Sequence, residues 1–257
     1  MEIIQVETVD AISFITLNRQ PANALSQDLL KDLSSVLKHL EDSKETRVIV
    51  IKGEGKFFCA GADIKEFTSL QQEKEYEKLA VNGQELFEYI ENYPKPVIAA
   101  IHGAALGGGL ELAMSCHIRL VTENAKLGLP ELQLGIIPGF GGTQRLPRYV
   151  GVHKACEMML TSDPISGSEA VELGLANAAF EESQLINETF LLARKIAKKS
   201  PISVKATLQL LQHVKTDAYY SGIKKEAQLF GSVFKSRDAQ EGVAAFIEKR
   251  QPKFLGK

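Results

Sequence analysis

Apolar residues run without a break through Val48-Ile49-Val50-Ile51 and again from Val97 to Ile101, while from Leu29 to Leu40 they recur at helical spacing. The unbroken runs, bounded by Gly53, Pro96 and Gly103, predict short buried strands, and the helical spacing predicts an amphipathic helix that covers them. Upstream, Glu2–Val9 and Ala11–Asn18 read as two strands joined at Asp10, so a hairpin opens the fold. Pro21–Ser26 is a loop, and Ser26 is placed to cap the helix carrying Leu29, Leu30, Leu33, Val36, Leu37 and Leu40. The strand over Arg47–Lys52 follows. Strand, helix, strand is a βαβ crossover, which makes the sheet at least partly parallel. Lys56–Ile64 is a glycine-containing turn, and the charged stretch Gln71–Asn92 carries Tyr76, Leu79, Ala80, Leu86, Phe87 and Ile90 on one helical face before a second crossover into Val97.

After Gly142 the pattern turns mainly helical. Val152–Leu160 is one segment, and Ser166-Gly167-Ser168-Glu169 is a capping-box signature for the next. Leu175–Phe180 reads as a further short strand. Ser183 is expected to cap a helix reaching Lys198, Ser200-Pro201 to start another, and Asp217–Phe234 and Asp238–Lys249 to complete a helical C-terminal third. The fold class is α/β. Composition does not shift abruptly and no low-complexity tract or repeat interrupts the chain, so the division expected is a subdomain boundary, with residues 1–195 ahead of a helical region 196–257.

The candidate chemistry concentrates between Val97 and Arg145. A helix is expected over Leu110–Cys116, entered through Gly107, Gly108 and Gly109, with Glu111 in its first turn, where free N–H groups and the helix dipole favour negative charge. The Gly108 N–H in the same turn is placed to hold an anionic oxygen. Glu131 follows Pro130 among apolar neighbours, and a second glycine cluster stands at Gly139, Gly141 and Gly142. A carboxylate in such surroundings is costly unless it is paired, hydrogen-bonded or used. Either glutamate alone has an ordinary structural reading. Two acids beside an anion-holding turn, however, are the parts required for acid–base chemistry next to a carbonyl.

Composition narrows the field. With 257 residues, 44% hydrophobic and 24% charged, the chain has the balance of a soluble globular protein, and a net charge of −2 supplies no general field for nucleic acid or an anionic membrane. The three cysteines, Cys59, Cys116 and Cys156, lack CxxC spacing and read as reduced structural thiols, so no metal site is expected. The acidic start MEIIQVETVD has no basic region ahead of an apolar stretch, and no apolar run reaches membrane-spanning length, so a cytoplasmic location is expected. The turn Gly103-Ala-Ala-Leu-Gly107-Gly-Gly is not GxGxxG, no GxxxxGK[ST] stretch exists, and Ser115 has no GxSxG elbow. His102 reads as a strand-end residue with a structural hydrogen bond.

At these residues the sequence resembles the enoyl-CoA hydratase/isomerase (crotonase) family. Three blocks carry the resemblance: Phe58-Cys-Ala-Gly-Ala-Asp-Ile-Lys-Glu66, Gly103-Ala-Ala-Leu-Gly-Gly-Gly-Leu-Glu-Leu-Ala113, and the stretch Leu127–Leu146 read as LGLPELQLGIIPGFGGTQRL. The resemblance implies a crotonase-like spiral of ββα units followed by a helical C-terminal trimerisation region, assembled as a homotrimer or as a hexamer of two trimers. It implies the backbone N–H groups of Ala62 and Gly108 as an oxyanion hole for a thioester oxygen, and Glu111 and Glu131 as the acid–base pair. Ala60, Ala62, Asp63, Ile64 and Lys65, with Gly108, would line the coenzyme A channel, Lys65 near the phosphates. The implied reaction adds water across the 2,3 double bond of a 2-enoyl-CoA, in fatty acid beta-oxidation or related acyl-CoA catabolism. Coenzyme A is then part of the substrate, and no separate cofactor is expected. Family members also include isomerases and other acyl-CoA enzymes, which share the hole and differ at the acidic positions; having both glutamates favours the hydratase. A non-catalytic acyl-CoA binder would not need both acids, and an RNA-binding role would need a basic surface that the net charge does not provide. One departure lies at Asn18-Arg-Gln-Pro-Ala-Asn-Ala-Leu25, which is shorter than the family's loop and lacks a lysine.

Overall fold

The computed structural model describes residues 3–67 and 73–213 and, beyond them, 237–238, 241–242, 245, 248, 250 and 252–257, with the backbone alone at 65, 67 and 73–76. Strands β1 (Ile4–Val9) and β2 (Ile12–Leu17) form the expected hairpin, antiparallel from Ile4 opposite Leu17 to Val9 opposite Ile12. Asp10 and Ala11 between them take φ values of 51° and 63°, the backbone of a two-residue turn that matches strand twist. Helix α1 (Gln27–Asp42) starts at Ser26, whose hydroxyl accepts the Leu29 N–H at 3.2 Å. Strand β3 (Val48–Gly53) then pairs parallel with β2, and β4 (Val97–Ile101) pairs parallel with β3 after helices α2 (Ile64–Phe67) and α3 (Glu73–Glu91).

β3 is apolar from Val48 to Ile51 because both of its faces are covered there. Ile49 and Ile51 enter the main core with the α1 leucines and with Phe87 and Ile90 of α3, whereas Val48 and Val50 enter a smaller cluster with Leu185, Ala193 and Ala197 of α7 (Glu182–Ala197). From β4 onward the chain alternates between two sheets. β4 and β6 (Ile118–Thr122) belong to a six-stranded sheet ordered β1-β2-β3-β4-β6-β9, while β5 (Ala104–Leu106) and β7 (Lys126–Gly128) belong to a three-stranded one ordered β5-β7-β8. Helix α4 (Gly108–Ser115) follows β5 and helix α5 (Gly142–Thr161) follows β7, so strand, strand, helix repeats as a spiral. In the turn after β3, Cys59 bridges Ala105 in place of a regular strand. β8 (Ile165–Ser166), α6 (Gly167–Glu172) and β9 (Ala178–Phe180) close the sheets, with the reciprocal Ser166–Glu169 capping box present.

Several boundaries differ from the sequence reading. α4 begins at Gly108, two residues before Leu110, because Gly107 makes the whole turn into the helix. Val152–Leu160 is the second half of α5, which breaks at Gly151 (φ 77°, ψ 160°). Ser183 does not cap α7. That helix starts at Glu182 with Glu181 as its N-terminal flank, and Ser183 lies inside its first turn. Helix α8 (Pro201–His213) starts at the expected proline. The helix expected over Asp217–Phe234 lies outside the described residues, as does most of Asp238–Lys249. Among the described residues no helix is long and apolar enough to cross a membrane.

Candidate active site

Two backbone segments are brought edge to edge by local hydrogen bonds. The Leu25 N–H donates to the Gly61 carbonyl at 2.8 Å, and the Leu25 carbonyl accepts the Asp63 N–H at 3.0 Å. In a parallel bridge of this kind the Ala62 N–H faces away from Leu25. On the other side the Cys59 N–H donates to the Ala104 carbonyl and the Leu106 N–H to the Cys59 carbonyl, both at 3.1 Å. Asn23, fully buried, ties the start of this segment by donating from Nδ2 to the carbonyls of Glu54 (2.9 Å) and Phe57 (2.8 Å). At the other end the Arg19 guanidinium pairs with the Asp63 carboxylate at 2.5 Å.

Gly107 then sets the start of α4. Its backbone (φ 52°, ψ −128°) suits glycine alone, and a Cβ there would lie 2.9 Å from Glu131 Oε1. Gly108 is the first residue of the helix, so its N–H has no acceptor within it. A Cβ on Gly61 would come within 3.9 Å of the Gly108 nitrogen, which shows how closely the two segments approach.

The Glu111 side chain leaves α4 and ends at a different helix. Its Oε1 accepts N–H groups from Phe140 at 2.9 Å and from Gly142 at 2.6 Å, and Gly142 is the first residue of α5. Glu111 stands in the first turn of α4 as expected, and the start of α5 favours its charge as well. Burial nevertheless pushes the Glu111 carboxyl up to about 7, aided by the charge of Glu131 and opposed by those two N–H groups and by Arg145. Glu131 opens a 3-10 turn (Glu131–Leu134) behind Pro130, and burial raises its carboxyl as well, against a backbone hydrogen bond within its own residue. Its Oε2 is buried with no hydrogen-bond partner among the described residues.

Both carboxyl groups face one cavity of about 620 Å³, and they are the only ionisable side chains among its described lining residues. Ala62, Gly108 and Phe140 form its inner part, while Leu134 and Ile137, 60% and 73% exposed, stand at its mouth. A carboxyl pair with raised proton affinity is suited to proton transfer, and N–H groups directed into an apolar cleft stabilise a developing oxyanion.

Ala60, Ala62, Ile64, Gly108, Glu111 and Glu131 thus share one cavity. Asp63 is outside its lining, with its carboxylate turned to Arg19; the Lys65 side chain lies outside the described residues. The loop that lacks a lysine accordingly supplies an arginine that fixes the neighbouring segment. His102 Nε2 lies 2.9 Å from the Gly55 carbonyl, a structural contact. Burial pushes the Cys59 and Cys116 thiols up to about 12, which leaves them as inert packing groups. Among the described residues no group of three or more His, Cys, Asp or Glu side chains comes together as a metal site.

The Enoyl-CoA hydratase/isomerase family model matches residues 7–257 of the chain. The chain belongs to this family. A probable enoyl-CoA hydratase of Bacillus subtilis (strain 168) is 54% identical over 257 residues, covering 100% of both chains. A short-chain-enoyl-CoA hydratase of Clostridium acetobutylicum is 40% identical over 248 residues, 96% of this chain and 95% of that one. The crystal structure of an enoyl-CoA hydratase from Bacillus anthracis has a TM-score of 0.94 to the fold at 39% identity, with 100% of both chains covered.

Within this family fold, three sets of residues contribute to the site that the sequence did not mark as part of it. Leu79 and Ala80 of α3 line the cavity, Phe140 and Gly142 hold Glu111, and Arg145 lies behind them. A signal existed for the second. Glycines at 139, 141 and 142 ahead of a helix mark a helix start, and a helix start offers N–H groups to a carboxylate.

Proposed function

We propose that the chain is an enoyl-CoA hydratase, which adds water across the C2=C3 bond of a 2-enoyl-CoA thioester to give a 3-hydroxyacyl-CoA. The observation that carries this reading is the pair Glu111 and Glu131, both with raised proton affinity, in an apolar cavity beside the N–H groups of Ala62 and Gly108. The thioester oxygen sits on those two N–H groups, which draw electron density from the conjugated double bond and leave C3 electrophilic. A carboxylate of the pair removes one proton from water as its oxygen bonds to C3. Negative charge moves to the thioester oxygen, and a proton delivered to C2, from the protonated carboxyl of the pair or the one just taken from water, restores the carbonyl. Water is consumed, and no electron leaves or enters, so the reaction itself calls for no redox cofactor. Hydratase names on relatives across the full chain length support the same reaction.

Purified protein mixed with crotonyl-CoA is expected to remove the conjugated thioester absorbance, with kcat bell-shaped in pH. The low limb arises when both carboxyls are protonated and the high limb when both are ionised. Unchanged absorbance would leave an acyl-CoA binder without hydratase activity. The reaction is placed in the cytoplasm, which suits three unpaired cysteines.

Residues 196–257 are proposed as the assembly region of a trimer or of a hexamer of two trimers. Exposed apolar side chains within it support a covered surface, among them Leu211 of α8 and Leu255 at 53% and 70% exposure. Sedimentation at micromolar protein is expected to give a trimer or hexamer. A stable, active monomer sinks the assembly and leaves the chemistry untouched.

A further inference from the structure

Arg145 lies outside the cavity lining, yet one of its bonds grips a residue that holds Glu111. Its Nη1 donates to the Phe140 carbonyl at 2.8 Å, and the Phe140 N–H donates to Glu111 Oε1 at 2.9 Å, so one residue is gripped on both sides of its backbone. Between Phe140 and Gly142, the second donor, Gly141 takes a φ of 95°; a Cβ there would lie 2.4 Å from Arg145 Nη1. The guanidinium is therefore pressed against the corner that presents both N–H groups. It is held there from α3, by Glu91 Oε2 at 3.1 Å from Nε and Glu88 Oε2 at 3.5 Å from Nη2, while Glu91 Oε1 also meets Arg148 at 3.3 Å. The side chains of Arg145 and Glu91 are 7% and 6% exposed.

A buried guanidinium needs its counter-charge and its acceptors, because each unmet group inside the protein costs several times what it costs at the surface. The planar fork of arginine serves a carboxylate with one edge and a carbonyl with the other, which a lysine ammonium does not do in fixed geometry. We propose that Arg145 is a positioning residue of the hydration reaction, which holds the 140–142 corner so that its two N–H groups stay aimed at Glu111 Oε1. The proposal rests on the hydratase reading. Among the described residues the charged groups about Glu111 are Glu131 from the 3-10 turn, Arg145 from α5 and, behind it, Arg148 of α5 and Glu88 and Glu91 of α3; β5 brings none. Arg145 favours the ionised form of Glu111 directly as well.

The test is Arg145→Gln, followed by steady-state kinetics with crotonyl-CoA and by carbon-13 NMR titration of the Glu111 carboxyl, assigned with Glu111→Gln. The kcat is expected to fall ~10 to 100-fold with KM within ~3-fold, as for an interaction that acts in the transition state. Glu111 is expected to titrate at higher pH than in the parent, since a favourable charge and the aim of two donors are lost together. A folded Arg145→Gln in which Glu111 titrates as in the parent overturns the proposal, whatever its kcat. If that variant does not fold, Arg145→Lys decides, because it keeps the buried cation opposite Glu91. A kcat loss of ~5-fold or more at constant KM supports the proposal there, and a parent-like kcat overturns it. If the parent leaves crotonyl-CoA unchanged, the hydratase reading has failed, and the Glu111 titration still tests Arg145.

Discussion

Glu111→Gln and Glu131→Gln are each expected to lower kcat by at least ~10²-fold while binding of the thioester persists, as for loss of a general acid–base group. The substitution is conservative at Glu111, because glutamine keeps an Oε1 to accept the Phe140 and Gly142 N–H groups and changes only the ability to carry a proton. At Glu131 the buried Oε2 has no described partner to lose, so the variant alters the reacting group and little else. Stability gives an independent reading. Folding raises the Glu111 carboxyl from 4.5 to about 7, so its proton is held more tightly in the folded chain. That contribution to stability is fully present below the unfolded value and is lost as pH rises toward 7, on the order of 3 kcal/mol. Glu111→Gln removes the dependence, so its Tm advantage over the parent should grow between pH 5 and pH 8. Near-normal turnover in either variant would remove that residue from the mechanism. A pH-independent Tm difference would deny Glu111 its raised proton affinity.

The same residue shows how far the sequence could be read. An acid amid apolar residues after a glycine turn was legible as a candidate, since local pattern alone makes a charge costly there. Its partners were not, because Phe140 and Gly142 lie 29 and 31 residues away and meet it only through the packing of α5 on α4. The strands and crossovers were legible for the opposite reason. β3 states its two-sided burial in four consecutive residues, and Ser26 and the Ser166–Glu169 pair announce helix starts through contacts three residues apart. Starts set by backbone shape were read less well. α4 begins two residues early because Gly107 reaches a conformation that no side-chain pattern records, and α7 begins at Glu182 with no capping side chain to mark it. Arg145 carried no signal at all. Its burial follows from Glu91 on α3, and nothing local distinguishes it from an exposed helix arginine.

Gly108→Val is expected to lower kcat at least ~10²-fold, the cost of losing one oxyanion donor. The reason is space rather than backbone angle. Positive φ belongs to Gly107, whereas a Cβ on Gly108 would lie 3.2 Å from Leu25 Cδ1 and from Phe140 Cδ2 and Cε2, tighter than ordinary contact. Phe140 has little room to yield. Its ring sits edge-on to Phe87 at 5.6 Å between centroids, and it lies so close to Gly83 that a Cβ there would meet it at 2.4 Å. Leu25 is constrained by its bridge to Ala62. Bulk at position 108 therefore displaces the Gly108 N–H, presses on the bridge beside the Ala62 N–H, and shifts the residue whose own N–H holds Glu111. Overpacking of this size lowers stability by about 1–3 kcal/mol, which the two cores and the sheet are expected to absorb. Alanine adds the Cβ alone and asks its neighbours to move a few tenths of an ångström, so Gly108→Ala should retain much more activity than valine. Activity with crotonyl-CoA and circular dichroism melts of both variants check this ordering. Valine activity within ~3-fold of the parent, in a protein that melts normally, would show that no thioester oxygen is held at Gly108.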